Sequence, residues 1–236
     1  MMKRFLCAVF LVVMLVGILP AQAADPLITF YLNGDREQQR IAITIDDWYE
    51  PEMLPDFLDL AKEYDIKLTL YPIGINLKEE NRESWLRALA EGHEIGNHSN
   101  THISFEDLSR DRVERQLNNM EKNLTQTLGQ EYTVNTLRYP FGAGRHKGTR
   151  SSLAKAVADA GYIHVVLWDI DTTDPKEILR KVKNGSIILL HSNRKDLRTL
   201  KAVLPTLKER GYEMVTVSDL LGLTKTTPLP QPKVTK

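Results

Sequence analysis

Cysteine is nearly absent from this chain of 236 residues, which has a single one at Cys7. One thiol excludes a disulfide within the chain and a zinc site made of cysteines. Cys7 also lies in an apolar N-terminal segment that we expect to be removed from the mature protein. The mature chain would then have no thiol, so cysteine nucleophiles are excluded as well, and a reactive site must be built from other side chains.

The chain also lacks a net charge, because 31 Lys and Arg residues balance 31 Asp and Glu residues. A balanced chain gives no reason to expect nucleic acid or an anionic membrane surface as a partner. Hydrophobic residues make up 42% of the sequence, which is ample for one sizeable core at this length. The composition thus predicts one main globular domain, and it leaves the oligomeric state open.

Long apolar runs are scarce: the one at residues 5–19 lies close to the N-terminus. Two basic residues precede it, and a proline and the small-residue sequence Ala21-Gln22-Ala23 follow it. This order is typical of a secretory signal peptide over residues 1–23, cleaved after Ala23. An uncleaved membrane anchor is the alternative, but the run is shorter than the roughly 20 residues that span a bilayer. We therefore expect an exported protein, periplasmic or secreted, with no stable membrane anchor after cleavage.

The rest of the chain divides into three segments. Residues 24–39 form a short N-terminal extension, and residues 40–223 alternate short β-rich runs with longer segments of helical period. Residues 224–236 contain three prolines and little apolar material, so we expect this tail to be disordered. The main domain, and with it any catalytic site, therefore occupies residues 40–223.

Seven strands and seven helices are predicted in this domain. The strand candidates are Ile41–Ile45, Lys67–Tyr71, Glu94–Asn97, Thr136–Tyr139, Ile163–Trp168, Ser186–Leu190 and Glu213–Val217. The helical candidates are Pro51–Tyr64, Glu79–Glu91, Ser109–Leu128, Gly148–Ala160, Asp174–Lys183, Asp196–Arg210 and Ser218–Gly222. Strands that alternate with helices at this spacing predict an α/β fold with a parallel sheet, either closed into a barrel or open and doubly wound.

Polar clusters follow five of the predicted strands, at the points where these strands end. They are Asp46-Asp47, His98, Arg138-Tyr139-Pro140, Trp168-Asp169 and His191. The carboxyl ends of the strands in a parallel barrel share one face, and that face carries the chemistry of such barrels. In an open sheet the same ends lie along a crevice. We therefore expect these clusters to meet in one site if the sheet closes.

His98 and His102 are four residues apart, and with a nearby acid they could bind a divalent metal. Asp47 is the best third ligand, because two histidines and one carboxylate leave a position open, as catalytic zinc sites do. Each part also has an ordinary explanation, since Asp46-Asp47 could be solvated in a loop and a lone pair of histidines is often structural. The three residues together favour a divalent metal, with zinc as the first choice.

The remaining polar groups suit proton transfer. Asp46 is the candidate general base, and Arg138 could keep it ionised through a charge-assisted pair. His191 closes an apolar strand and suits a general acid that protonates a leaving nitrogen. Asp171 or Asp174 could accept a hydrogen bond from the other ring nitrogen of His191 and raise its pKa. The alternatives are a surface ion pair for Arg138 and an ordinary hydrogen-bonded histidine at position 191.

The other histidines carry no catalytic signal. His93 precedes Glu94 at the start of a strand, which is the wrong end of a barrel, so we expect it to be structural. His146 could line the site through the loop at residues 142–148, and His164 is interpreted as a strand residue.

These segments, taken in order, resemble the polysaccharide deacetylases, the NodB homology domain of carbohydrate esterase family 4, over roughly Arg40 to Leu223. The matching motifs are Thr44-Ile45-Asp46-Asp47, His98-Ser99-Asn100-Thr101-His102, Arg138-Tyr139-Pro140-Phe141-Gly142 and Ile188-Leu189-Leu190-His191. Several motifs in this order are far more specific than any one of them. The resemblance implies a distorted seven-stranded (β/α) barrel, similar to a TIM barrel, and a metal-dependent hydrolase whose partner is an acetylated glycan.

The resemblance also implies which residues transfer protons and which bind the metal. Asp46 would be the base and His191 the acid. The metal ligands would be Asp47, His98 and His102, with a divalent ion, zinc by preference, as the cofactor.

Other residues would contact the base or the substrate. Arg138 would bind the base, the backbone N–H of Phe141 would help to bind the oxyanion, and Leu189 would line the acetate pocket. Tyr139 and Trp168, at the ends of neighbouring strands, are further candidates for contact with the substrate.

Two positions depart from the family pattern. The fourth motif, Asp171-Thr172-Thr173-Asp174, keeps its two acids, and Asp174 is a catalytic candidate, but Pro175 stands where a tryptophan is usual. His191 is followed by Ser192, where an acid is common. Neither change touches a proposed ligand or proton-transfer group, so we expect activity to survive and substrate preference to shift.

Three functions fit these residues. The first is removal of N-acetyl groups from a cell-wall or related polysaccharide. The second is hydrolysis of O-acetyl esters by the same machinery, which differs in how much the leaving group needs a proton. The third is a catalytically silent, secreted glycan-binding protein, which the intact set of site residues disfavours.

We predict that residues 1–23 are absent from the exported protein, because the charged start, apolar centre and Ala-Gln-Ala end match export and cleavage. Mass spectrometry of the exported protein should give a chain that starts at Ala24. An exported chain that still begins at Met1 would contradict the prediction.

Overall fold

The computed structural model of the chain describes residues 27–223. The predicted signal peptide and the predicted tail lie outside the described residues. Within residues 27–223, no helix combines the length and the apolar character needed to cross a membrane.

Nine short strands alternate with seven helices along the described chain. The strands are β1 (Thr29–Tyr31), β2 (Arg40–Asp47), β3 (Leu68–Pro72), β4 (Glu94–Ile95), β5 (Thr136–Leu137), β6 (His164–Val166), β7 (Ile170–Asp171), β8 (Ile187–His191) and β9 (Glu213–Val215). The helices are α1 (Leu54–Glu63), α2 (Arg82–Ala90), α3 (Arg110–Leu128), α4 (Ser152–Asp159), α5 (Pro175–Lys181), α6 (Arg194–Glu209) and α7 (Val217–Leu220).

All seven predicted strands and all seven predicted helices are present, with ends shifted by a few residues. The sequence pattern misses β1 and β7. β1 lies before residue 40, ahead of the first predicted strand, and β7 follows β6 after only three residues, where no helical segment separates them.

The strands form two parallel sheets. The larger has the order β4-β3-β2-β8-β7, with β9 paired to the first residues of β2, and the smaller has the order β1-β6-β5. A bridge between Asn97 and Leu137 joins the β4 and β5 edges, and residues 167–169 alone separate β6 from β7. The predicted α/β, barrel-like fold is confirmed, although the strands of residues 27–223 do not pair into one continuous ring.

β2 lies inside the larger sheet, and its residues alternate between two environments. Its isoleucines are buried in a cluster that also contains side chains of α1 and α6, whereas Ala42 belongs to a different cluster with Tyr71. Successive side chains of a strand point to opposite faces. Thr44 and Asp46 therefore lie on the same face as Ala42, which is the inner one.

β8 lies beside β2 and repeats this alternation. Ile188 and Leu190 are buried in the outer cluster with the helices, so Leu189 and His191 share the inner face. The parallel register pairs Asp46 with His191. The candidate base and the candidate acid thus come from neighbouring strands at the same level of the sheet.

Candidate active site

Six predicted residues meet at the carboxyl ends of the strands. They come from the end of β2, the loop after β4, the residue after β5 and the end of β8: Asp46, Asp47, His98, His102, Arg138 and His191. Distances between 2.8 and 3.6 Å connect the first five of them, and strand pairing places the sixth beside Asp46. The strand ends converge as a barrel arrangement requires.

Asp47, His98 and His102, here called the metal triad, could hold a metal ion. Oδ1 of Asp47 lies 3.5 Å from Nε2 of His98 and 3.4 Å from Nε2 of His102, and one ligand atom from each residue lies within 4.8 Å of the others. Oδ1 of Asp47 is buried and has no hydrogen-bond partner among the described residues. A buried carboxylate oxygen without a partner is costly, so a cation suits this position. One oxygen and two imidazole nitrogens are donors that zinc favours.

A hydrogen bond fixes the orientation of His98. Its Nδ1 lies 2.9 Å from the carbonyl oxygen of Arg138, and a carbonyl oxygen only accepts, so Nδ1 carries the proton. Nε2 then has the free lone pair, and Nε2 is the atom that faces Asp47. A hydrogen bond of this kind from the second ring nitrogen is the usual support of a metal-binding histidine.

The protonation states of the metal triad also fit a metal site. Burial alone would raise the pKa of Asp47, but the neighbouring imidazoles of His98 and His102 outweigh it, and the pKa is lowered. Burial, together with the neighbouring His98, lowers the pKa of His102. The favoured forms are therefore a carboxylate and a neutral imidazole, which are the forms that bind a metal.

The site is built on strained turns. Six described residues other than glycine have a positive φ, and five of them belong to the site: Asp47 (78°), Trp48 (61°), Ser99 (67°), His102 (56°) and Phe141 (60°). A residue with a Cβ keeps this conformation only where its surroundings impose it. Here Oδ1 of Asn97 accepts the N–H of Ser99 at 2.8 Å, and Oγ of Ser192 accepts the N–H of Trp48 at 2.7 Å. No glycine marks these five positions, so the sequence pattern does not reveal the turns.

Arg138 and Asp46 form a buried ion pair. Nη1 of Arg138 lies 2.8 Å from Oδ1 of Asp46 and 2.6 Å from Oγ1 of Thr44. Its Nε and Nη2 donate to the carbonyl oxygens of Val166 and Leu167 at 3.2 and 3.0 Å. The predicted pair is confirmed, and the guanidinium charge compensates a carboxylate that is shielded from solvent.

His191 has a carboxylate partner in Asp196. Oδ2 of Asp196 accepts the backbone N–H of His191 at 2.8 Å and lies 3.3 Å from its Nδ1. This hydrogen bond outweighs the effect of burial and raises the pKa of His191, and the charges of Asp46 and Asp47 act in the same direction. The protonated ring is therefore favoured, as a general acid requires.

The two acids expected to hold His191 lie elsewhere, so that prediction is wrong. Asp174 is exposed and caps α5, where its Oδ1 accepts the N–H of Lys176 at 3.0 Å. Asp171 is exposed at the end of β7. In the sequence, the one signal for Asp196 is its position five residues after His191. That signal is weak, because an acid in the first turn of a helix is expected for its favourable charge alone.

Phe141, Leu189 and Trp168 surround the site, and their contact with a substrate stays a prediction. Phe141 is 69% exposed, and the centroid of its ring lies 4.4 Å from that of His102. Leu189 is buried on the inner face of β8, two residues before His191, the candidate acid. Trp168 is half-buried, and a Cβ placed on Gly142 would lie 3.1 Å from its ring, so this ring packs on the loop that follows Phe141.

Tyr139 does not line the site, and its prediction as a substrate contact is wrong. Only 1% of the residue is exposed, and its ring packs against Phe30 and Phe105 with centroids 5.8 and 5.5 Å away. Arg138 points into the site, so the next residue of an extended segment points to the opposite face. Tyr139 therefore belongs to the core beneath the smaller sheet.

The remaining histidines stay outside the site chemistry. Nδ1 of His93 accepts the N–H of Leu68 at 2.9 Å, and burial lowers the pKa of His93 to about 4, which confirms its structural role. His164 lies in β6, as predicted. His146 is exposed, and its Nε2 lies 3.3 Å from a carboxylate oxygen of Glu106.

Comparison with known proteins gives consistent matches. A family model described as "Polysaccharide deacetylase" matches residues 33–165. A peptidoglycan-N-acetylglucosamine deacetylase of Listeria monocytogenes is 30% identical over 197 residues, 79% of this chain and 40% of that protein. A protein of Bacillus cereus with the same name is 31% identical over 197 residues, 77% of this chain and 87% of its own length. This chain thus spans well under half the length of the Listeria relative.

One solved structure has a similar fold. It is a mutant of a CE4 family pseudoenzyme of Bacillus anthracis, described as having restored enzymatic activity. The TM-score is 0.72 at 26% sequence identity, over 86% of this chain and 74% of that one.

We predict that the mature protein binds a divalent metal and that His98→Ala loses most of it, because one of three ligands is removed from the metal triad. Elemental analysis after dialysis should show zinc in the parent and little in the variant. His146→Ala is the matched control, since it removes an exposed imidazole outside the triad and should keep the metal. A His98→Ala protein with full metal content would contradict the assignment.

Proposed function

We infer the activity of this chain from its family, since the chain belongs to the polysaccharide deacetylases. The resemblance read from the motifs is thereby confirmed. We propose a metal-dependent hydrolase that removes N-acetyl groups from a cell-wall or related polysaccharide. The observation that carries this proposal is the position of Asp46, which lies beside the metal triad and directly across from His191 on the next strand.

The metal triad would hold the ion, and its donor set leads us to expect zinc. A divalent ion bound there would supply a Lewis acid that polarises an acyl carbonyl and makes water easier to deprotonate. The proton transfers themselves depend on side chains of this chain.

Asp46 would accept the proton of the attacking water. Its Oδ1 is engaged by Nη1 of Arg138. Oδ2, which lies 3.6 Å from Nε2 of His98, is the oxygen left for this proton. Arg138 cannot take the proton, because a guanidinium has no acceptor and stays charged. In this pair Asp46 would accept the proton, and Arg138 would hold the Asp46 side chain in place.

His191 would deliver a proton to the leaving nitrogen. Its Nδ1 is engaged with Asp196, so Nε2 is the ring atom that can donate to a substrate. The His191 side chain is 40% exposed, whereas that of Asp196 is only 2% exposed, so a substrate can reach the first and not the second. An amine leaves poorly unless it is protonated, which makes this step important for amide cleavage.

Two further groups would hold the acetyl group. The backbone N–H of Phe141 would donate to the oxyanion, beside the ring that contacts His102. Leu189 lies on the inner face of the same strand as the acid and would contact the methyl group. Leu189 is positioned by β8 itself, and Phe141 by the short helical turn Pro140–Gly142 that follows β5.

Hydrolysis of O-acetyl esters is the second candidate, because it needs the same water, base and oxyanion donor. An alkoxide leaves more readily than an unprotonated nitrogen, which would have to leave as an amide anion, so loss of His191 should harm amide cleavage more. A silent glycan-binding protein is the third candidate, and a similar fold is known from a protein called a pseudoenzyme. The presence of Asp46, the metal triad and His191 together disfavours it here.

The names of the relatives support peptidoglycan or a related N-acetylated glycan as the substrate class. Export through the predicted signal peptide would bring the protein to such a glycan, in the periplasm or outside the cell. Acetate release from acetylated chitin, peptidoglycan and xylan fragments tests the proposal directly. Failure to release acetate from all three by the zinc-loaded protein would overturn it.

We predict that Asp46→Asn keeps the metal and loses most turnover, because the amide preserves shape but cannot accept a proton. Loss of a general base typically costs about 10²–10⁴-fold in rate. Acetate release and metal content should be measured on the same preparation. An Asp46→Asn protein as active as the parent would remove Asp46 from the proton transfer.

Asp47→Asn is the matched comparison, because it makes the same chemical change one residue further on. It should weaken metal binding itself, and excess zinc should restore part of the activity. The reverse pattern, with metal retained in Asp47→Asn and lost in Asp46→Asn, would mean that the two roles are exchanged.

We predict that Asp196→Asn moves the alkaline limb of the pH profile of kcat to lower pH. Asp196 raises the pKa of His191, so His191 is protonated below that pKa and loses its proton as the pH rises through it. Removing the charge lowers the pKa, and the acid form is lost earlier.

Asp174→Asn is the control for this profile, because asparagine also caps a helix and the residue does not contact His191. Its alkaline limb should stay with that of the parent. A shift in Asp174→Asn and none in Asp196→Asn would restore the partner expected from the motifs.

A further inference from the structure

Exposed apolar side chains gather around the metal triad. The large hydrophobic residues that are exposed within residues 27–223 are Leu27, Leu32, Tyr49, Ile75, Phe141 and Ile163. Tyr49, Ile75 and Phe141 lie in loops that adjoin the triad. Single exposed apolar residues are ordinary, but three around one site indicate a binding surface.

The turn that carries Ile75 is tied to two parts of the metal triad. The N–H of Ile75 donates to the carbonyl oxygen of Asn100 at 3.0 Å, within the loop between the two histidines. Nδ2 of the next residue, Asn76, donates to the carbonyl oxygen of Asp47 at 3.1 Å. Ile75, which is 51% exposed, is therefore held between the loops that supply the ligands.

Tyr49 is presented by a rigid turn, two residues after Asp47. Trp48 before it is fully buried, and its ring lies edge-on to Trp85 with centroids 5.5 Å apart. Oγ of Ser192 accepts the N–H of Trp48 and holds its positive φ. Tyr49 itself is 62% exposed. Burial and the negative charge of Asp47 raise its pKa, which agrees with a position close to the metal triad.

Phe141, the third exposed side chain, approaches the metal triad through another ligand. Phe141 contacts His102, whereas Tyr49 follows Asp47 by two residues and the turn of Ile75 is hydrogen-bonded to the backbone of Asp47 and Asn100. The exposed apolar groups thus adjoin the site through different ligands. A polymer that crosses the site could touch both groups at once.

We propose that Tyr49 and Ile75 bind the ring of a sugar next to the one that loses its acyl group, with Phe141 contacting the chain elsewhere on the rim. This inference rests on the proposed function and makes it more specific. The occupant is a chain of linked pyranoses, so the site acts on sugars within a chain of several units and poorly on a single sugar.

The chemistry of a pyranose fits these side chains. Its flat faces carry C–H groups that pack on an aromatic ring, and its edge carries hydroxyls that need polar partners. Glu50, next to Tyr49, is exposed, and Asn76, next to Ile75, is half-buried. A lipid or a protein helix would instead need a continuous apolar surface, which polar neighbours interrupt here.

The test uses the zinc-loaded mature protein with β-1,4-linked N-acetylglucosamine oligomers of one to six sugars, and 4-nitrophenyl acetate as a small substrate. In the parent, kcat/KM should rise with the number of sugars. Tyr49→Ala should lower the ratio of kcat/KM for the hexamer to that for the small ester by about fivefold to tenfold, the size expected for one ring contact. The change should lie mainly in KM, and Tyr49→Phe should keep most of the ratio.

Ile163→Ala is the matched control, because Ile163 is 52% exposed and precedes β6, away from the metal triad. It should leave the ratio at the parent value. A Tyr49→Ala protein with the length dependence of the parent overturns the proposal, and so does an equal loss in Ile163→Ala.

Binding separates this proposal from the proposed function. If the parent releases no acetate from any oligomer, calorimetry of hexamer binding to the parent and to Tyr49→Ala still decides. Weaker binding by the variant supports the surface while the deacetylase proposal fails for this substrate. Equal binding, or no binding by the parent, overturns the surface.

Discussion

The rest of the site depends on the buried guanidinium of Arg138. It donates to Asp46 and Thr44 of β2 and to the carbonyl oxygens of Val166 and Leu167, where the chain leaves the smaller sheet. Backbone pairing is interrupted at that point, so the side chain supplies partners that strand neighbours would otherwise provide. Loss of one member of a buried ion pair typically costs about 3–5 kcal/mol. One residue therefore supports both the interior of the fold and the candidate base.

The backbone of the same residue orients a metal ligand. The carbonyl oxygen of Arg138 accepts a hydrogen bond from Nδ1 of His98 and so fixes that ring. The backbone N–H of Arg138 donates to the carbonyl oxygen of Asn97 at 2.9 Å. The side chain of Asn97 in turn holds the strained Ser99. The position of the base and the orientation of the ligand are thus set by one residue after β5. This common support explains why proton acceptor and metal triad stay at a short, defined separation.

Much of this site could be predicted, because it depends on where strands end. Asp46 and His191 follow apolar runs, and parallel strands bring such ends together. The alternation of side chains along a strand also explains why the prediction that Tyr139 contacts the substrate is wrong. Arg138 points inward, so the next residue points outward. Asp196 could not be singled out, since an acid in the first turn of a helix has an ordinary explanation. The strained turn at Asp47 is equally hidden, because contacts distant in sequence impose it and no glycine marks it.

The two departures from the family pattern have different consequences in the structure. Ser192 is more than a missing acid, since its hydroxyl holds the turn that follows Asp47. Pro175 occupies the first turn of α5, after the cap at Asp174, a position that suits proline. The first turn of a helix thus occupies the position where the family usually has a tryptophan. If Tyr49 binds a sugar as proposed, the turn held by Ser192 supplies an aromatic surface from a different loop. Substrate contact would then move from the β7–α5 loop to the β2–α1 loop, while the proton-transfer groups keep their places.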